Sequence, residues 1–333
     1  MFSQGARPQS ALVFDNEGFG QMTCGETKNS GKLARKRADA AGGQGIAILV
    51  PIMLVLGGCT TVPLTEAGTL TSYSNLSAPK GKFEKKRVYF SKDGLKDVKT
   101  VSIAPTALTP AAQKRVEKQK DRLLLTNAID RAICITMSEK YEIVPFGTPA
   151  DLTVRTAVTD IVPTEPSVAG AAKAISIGSS LALPVGIPRL PFGLGGLAVE
   201  AEAVDRDGKQ RAAIVWSKGA NSFTSEARVS PVGDAYDLAG AFGKDFSRMV
   251  VAGKEPGNFD LRLPSGYDIR TSFGGKPGSA ICENFGRAPG VVGMIGASIG
   301  APPSWTDKGG KLPVTAADAA DSAEKTKPSI GSR

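Results

Sequence analysis

The segment Leu197-Ala198-Val199-Glu200-Ala201-Glu202-Ala203-Val204 alternates in character, passes through Asp205-Arg206-Asp207-Gly208, and returns as Ala212-Ala213-Ile214-Val215-Trp216. Side chains on a strand point to opposite faces with a period of two, and Asp/Gly-rich turns join such runs. This stretch is therefore read as a β-hairpin, with Glu200 and Glu202 on one face, expected to meet solvent. A second alternating run spans Ala150 to Asp160, with Leu152, Val154 and Val158 on one side and Thr153, Arg155 and Thr159 on the other. Val98 to Ala104 reads as a strand stopped by Pro105, and Tyr141 to Pro145 as a short one.

Two helices are expected to complete the core. Pro110 to Lys140 contains no internal Gly or Pro, places Val116, Leu123, Leu124, Ala128, Ile129, Ile133 and Met137 at helical spacing, and opens with Thr109-Pro110, a cap followed by a first-turn proline. Asp234 to Val251 carries Leu238, Phe242, Phe246, Met249 and Val250 as a stripe that Gly253 ends. The order of elements predicts an α+β fold: a single two-layer sandwich of a mostly antiparallel sheet with two main helices, plus flexible termini. Residues 98–252 are long enough for one core. Residues 253–333, rich in Gly, Pro and Ala, are expected to form a low-complexity, mostly disordered tail.

The N-terminal region specifies an address. Lys32, Arg35, Lys36 and Arg37 precede the apolar run Ile46 to Leu56, and Leu56-Gly57-Gly58-Cys59 follows it. A basic region, a short apolar region and small residues form an export signal, and the cysteine makes it a lipobox. Cleavage is expected between Gly58 and Cys59, with Cys59 carrying fatty acyl chains such as palmitate; two or more such chains anchor stably. The run is too short for a spanning helix, which needs about 20 apolar residues. Thr60, rather than Asp, after the cysteine points to the periplasmic side of the outer membrane. Residues 1–58 are thus expected to form a signal peptide with an upstream extension, with translation expected to start at Met22 or at a non-Met codon near Leu33, and residues 59–97 a lipid-anchored tether.

Composition narrows the chemistry. The formal charge is +9, and residues 1–58 remove six basic and four acidic residues, leaving +7. The basic residues are scattered apart from knots at Lys82–Arg87 and Lys114–Arg122, read as solvated helix faces; no nucleic-acid partner is expected. Cys134 and Cys282 either pair in an oxidising compartment or stay apart, with Cys134 a small hydrophobe inside a helix. With no histidine and no C-x-x-C, neither a structural metal nor a cofactor is expected. Gly296-Ala297-Ser298-Ile299-Gly300 spells the nucleophile-elbow pattern but has neither a histidine base nor a preceding strand. Asp151, Asp160 and Glu165, or Glu200 and Glu202, offer carboxyl pairs but read as solvated faces. The small, apolar insert Ser167 to Leu183 either covers the sheet or forms an interface through Ile175, Ile177 and Leu181.

Taken together, the lipobox, Gly68-Thr69-Leu70-Thr71-Ser72-Tyr73-Ser74-Asn75-Leu76, Arg87-Val88-Tyr89-Phe90, the Lys99–Pro105 strand, Leu152 to Pro163 and the Ala198–Val204 arm resemble the bacterial lipoprotein family called domain of unknown function 3313. The resemblance spans Gly68 to Val251 and implies no catalytic residues. The function expected is that of a non-catalytic envelope module, membrane-bound through its lipid and binding a protein or cell-wall partner. An auxiliary lipoprotein of a transport or polysaccharide-export system is the alternative, and a serine–lysine hydrolase the third.

Overall fold

The computed structural model describes residues 61–82, 84–171, 174, 192–221, 225–255 and 266–310. Its centre is a seven-stranded sheet formed by β1 (Glu84–Phe90), β2 (Thr100–Ile103), β3 (Ala107–Leu108), β4 (Glu142–Val144), β5 (Leu152–Val162), β6 (Gly196–Asp205) and β7 (Gln210–Gly219). The strand order is β1-β7-β6-β5-β2-β4, with β3 also beside β5. The expected hairpin is β6–β7, paired from Gly196↔Gly219 to Val204↔Gln210.

The sheet is mixed, which corrects the expectation of a mostly antiparallel one. β1–β7, β5–β6 and β6–β7 run antiparallel, whereas β2–β4, β2–β5 and β3–β5 run parallel. The physical reason lies between β2 and β4. α1 (Pro110–Arg115) and α2 (Gln119–Met137) form the crossover between them, and a helical crossover returns the chain to run parallel to the strand it left. β2 and β3 lie end to end along β5, with Val101 opposite Leu152 and Ala107 opposite Ala157; Pro105 interrupts them.

The single helix expected over 110–140 is two helices. Thr109 caps α1, its hydroxyl accepting from the Ala112 N–H at 3.3 Å. Val116 is extended and buried, and Arg122 donates to the carbonyls of Val116 and Gln113 at 2.5 and 2.8 Å. The Gln113 carbonyl also accepts from the Val116 N–H at 3.4 Å, so Arg122 ties together the carbonyls where α1 ends.

α2 and α3 (Gly233–Ala252) pack side by side on one face of the sheet. Their approach depends on Gly243, where a Cβ would stand 2.6 Å from the Ala132 Cβ and 3.1 Å from the Ile129 carbonyl oxygen. Leu125, Ile129, Ile133, Phe242 and Phe246 meet Val154, Leu197 and Trp216 beneath them. Trp216 contacts Phe242 edge-on, with ring centroids 5.5 Å apart. Gly253 ends α3 at φ +57°, as its place after the apolar stripe predicted.

Both chain ends contribute more structure than the sequence suggested. β1 lies upstream of Val98 and forms an edge of the sheet, although its basic cluster had read as a helix face. Residues from Val62 to Leu76, expected as tether, cross the second face of the sheet. At the other end, α4 (Gly266–Ser272), a 3₁₀ turn (Ala280–Phe285), α5 (Gly290–Ser298) and α6 (Pro303–Thr306) lie in the expected tail. These additions replace the two-helix sandwich with several helices and a mixed sheet.

Candidate functional site

Two groups of buried polar side chains organise the described molecule. The first lies on the sheet face opposite α2 and α3. Alternation turns Val199, Ala201 and Ala203 toward the helices and leaves Glu200 and Glu202 on the other side, yet these acids are only 0% and 1% exposed. The N-terminal segment covers them. Glu200 accepts from the Ala67 N–H at 2.7 Å, the Thr69 N–H at 3.2 Å, the Thr69 hydroxyl and the Tyr73 hydroxyl at 2.7 Å. Glu202 accepts from the Thr71 N–H and hydroxyl, both at 2.8 Å, and from the Gln210 amide at 2.9 Å. Arg155 stands 3.8 Å from it. Leu70 and Leu76 pack on Ala213 and Val215 beside these bonds.

This arrangement accounts for the Gly68–Leu76 run. Thr69 and Thr71, two residues apart, meet Glu200 and Glu202, two residues apart, and the Tyr73 hydroxyl reaches back to Glu200. The solvent-facing reading of the glutamates failed because an alternating strand cannot tell water from a polar segment of the same chain. Burial first, and the Glu200 hydrogen bond next, push the Tyr73 hydroxyl above its ordinary pKa.

The second group binds the C-terminal segment to the helices. Cys134 of α2 is disulfide-bonded to Cys282, with Cα atoms 5.6 Å apart. One turn away, Arg131 donates to Asp307 at 2.6 Å and to the Phe285 carbonyl at 3.3 Å. Tyr236 of α3 donates to the same Asp307 oxygen at 2.6 Å. Arg131 and Asp307 are both buried, where a charge needs a partner. Burial is the chief cause that drives the Tyr236 pKa upward.

Two cavities flank this layer. One of about 320 Å³ lies between α2, α3 and α5, lined by Ala132, Ile135, Tyr236, Lys244, Gly293 and Ala297 among others. The other, about 480 Å³, is lined by Thr106, Lys120, Asn127, Asp130 and Phe285 among others. Asp130 accepts from the Thr106 N–H at 3.1 Å and from its hydroxyl at 2.5 Å. Desolvation nevertheless raises its pKa from 3.8 to about 7, against the lowering effect of those bonds.

The remaining acids from the sequence reading do not converge. Asp151 accepts from the N–H groups of Lys99 and Thr100, both at 2.9 Å, and these backbone bonds lower its pKa. Asp160 faces Arg115 at 3.6 Å, and Glu165 accepts from Ser167 at 2.9 Å. Ser298 ends α5 and donates to the Ile295 carbonyl at 2.8 Å, so the elbow pattern occupies a helix terminus rather than a strand-to-helix turn. Gly58, Cys59, Ile175, Ile177 and Leu181 lie outside the described residues. Among the described residues, no helix is long and apolar enough to cross a membrane.

A family model described as "Protein of unknown function (DUF3313)" matches residues 65–246. The chain belongs to that family. The match begins with the segment over Glu200 and Glu202 and ends within α3, so the family's extent includes this polar latch but not the disulfide-bound C-terminal layer. No curated protein matches the chain significantly. Among solved structures, the chain is similar to a dodecamer of a PelC point variant from Paraburkholderia phytofirmans at 10% identity, covering 51% of this chain and 99% of that one, with a TM-score of 0.31. A likeness so distant carries no functional argument.

Proposed function

We propose that the protein is a lipid-anchored, non-catalytic binding module of the bacterial envelope, held to the periplasmic side of the outer membrane through Cys59 and engaging a protein or cell-wall partner. The observation that carries this reading is the Cys134–Cys282 bridge. Stable disulfides belong to oxidising compartments, the destination that the Lys32–Cys59 signal pattern specifies. The non-catalytic part is supported by the use of Glu200, Glu202, Asp151 and Asp307 within the fold. Each holds another segment of its own chain.

Metabolic labelling with palmitate, followed by membrane fractionation, tests the anchor. Wild-type protein should take up label and sediment with outer membrane, whereas Cys59→Ser should take up none and should either enter the soluble periplasm or remain as precursor. Equal labelling of both proteins would defeat the assignment.

A further inference from the structure

α5 is inverted relative to an ordinary surface helix. Gly290, Gly293 and Gly296 face inward, while Val291, Val292, Met294, Ile295 and Ile299 are exposed, Val292 at 65%. The glycines allow the close approach: a Cβ on Gly296 would stand 2.9 Å from the Thr306 methyl group of α6. Trp305, also on α6, is 71% exposed. Isolated apolar residues at a surface need no explanation, but a continuous patch of this kind marks a binding face.

Charge distinguishes the possible occupants. From Ala288 to Thr306 the chain carries no charged residue. On either side of this stretch in the chain lie the exposed Lys276 and Lys308. The flanking acids are each cancelled by a basic partner: Asp307 is buried against Arg131, and Glu283 pairs with Arg287 at 2.9 Å, which leaves the two lysines as the net charge of the rim. An apolar face with an exposed tryptophan and a basic rim suits the boundary between acyl chains and anionic headgroups. A symmetric contact with a second copy would instead set the same basic rim against itself.

The path of the N-terminal chain agrees. Val62 fills the space above Gly196, where β6 begins, and the neighbouring Gly195 N–H donates to Asp234 at 2.6 Å. Next to Asp234, Gly233 packs on Arg228, and the Val229 N–H donates to the Gly300 carbonyl at 2.9 Å. The N-terminal segment therefore reaches the sheet at the end of the molecule that carries α5. Cys59 is only three residues before Val62, a reach of about 10 Å at most.

We infer that the α5–α6 face is a second membrane contact, laid into a lipid surface rich in anionic headgroups on the side where the acylated cysteine would enter. This inference rests on the anchored reading for its orientation. Trp305 and the fully buried Trp216 are the two tryptophans of the chain, so emission from Trp305 is a local probe. The full chain should be bound to phosphatidylethanolamine/phosphatidylglycerol vesicles containing brominated acyl chains, with flotation to verify binding.

Most of the Trp305 emission should shift to shorter wavelength and be quenched, and Trp305→Phe should abolish the quenchable component. Val292→Asp combined with Ile295→Asp should reduce quenching to background with an unchanged melting curve, since both sites are exposed. Unquenched Trp305 on vesicle-bound protein would overturn the inference, as would quenching that survives the double substitution. So would burial of Trp305 through self-association in the absence of lipid. Palmitate labelling at Cys59 is read separately: quenching without label would refute the acyl anchor and retain the α5 face, and label without quenching would do the reverse.

Discussion

The two ends of the chain are fastened to the same domain by different chemistry. Residues 62–76 are held to the open face of the sheet by hydrogen bonds to two buried glutamates, a noncovalent and reversible attachment. Residues 280–307 are held to α2 by a disulfide and a buried ion pair. The difference sets their expected failures. The N-terminal segment should detach when its acceptors are removed, and the C-terminal segment when the covalent bond and its charged neighbour are lost. In both, a few specific pins replace the long apolar stripe that holds α3.

The largest effect should come from replacing Cys134 and Cys282 together by serine. The bridge closes a separation of 148 residues, and loops of this size correspond to about 4–5 kcal/mol in the chain-entropy model. Chemical denaturation should show that loss, with hydrogen exchange rising first over 280–307 while the sheet stays protected. Uniform loss of protection would mean that the C-terminal layer is integral to the core, and the contrast between the two ends would fail.

Glu200→Ala should be next, at about 3 kcal/mol, because it leaves the donors of Ala67, Thr69 and Tyr73 without their acceptor. Limited proteolysis should then cut within residues 62–76 while Glu202 and the C-terminal layer remain in place. An uncut segment would show that Leu70 and Leu76 hold it without the hydrogen bonds.

A pH titration sharpens the comparison at the C-terminal side, where Asp130 lines the cavity beside Phe285. Its native pKa of about 7 lies above the ordinary 3.8, so the folded chain retains a proton that the unfolded chain releases in between. The contribution of Asp130 to stability should be greatest below pH 4, decline as pH rises through that window, and level off above about 7. Asp130→Asn should flatten this component. An unaltered pH profile in the variant would assign the dependence to another group. The smallest expected change is Tyr73→Phe, which removes one of four bonds to Glu200 and should cost about 1 kcal/mol; a melting curve indistinguishable from wild type would show that bond to be dispensable.

The legible parts of the fold were those with a period. The β6–β7 hairpin and α3, from its apolar stripe to Gly253, follow from spacing alone. β2 and β4 were readable as strands, but three or four residues do not reveal a parallel pairing imposed by the intervening helices. The break at Val116 was hidden because its apolar side chain fits a helical stripe as well as it fits the core. Gly68–Leu76 was visible as a motif without a mechanism: Thr69, Thr71 and Tyr73 look like surface residues until Glu200 and Glu202 lie beneath them. A matching two-residue spacing of donors and acids was the available signal. The C-terminal helices are short and glycine-rich, and the cysteine pairing that holds them was left as one of two alternatives.

The borders of the sheet bear on how densely such a protein can crowd. An open strand margin is a template on which another chain can add and extend into fibres. Here β4, at one margin, is three residues long. β1, at the other, carries Glu84, Lys85, Lys86 and Arg87, and Lys80 folds back to bridge Lys86. Neither margin offers a long, flat, uncharged row to a neighbour. Were copies held on a bilayer as proposed, they would meet far more often than in free solution, and the short and charged borders would guard those encounters against growth by strand addition.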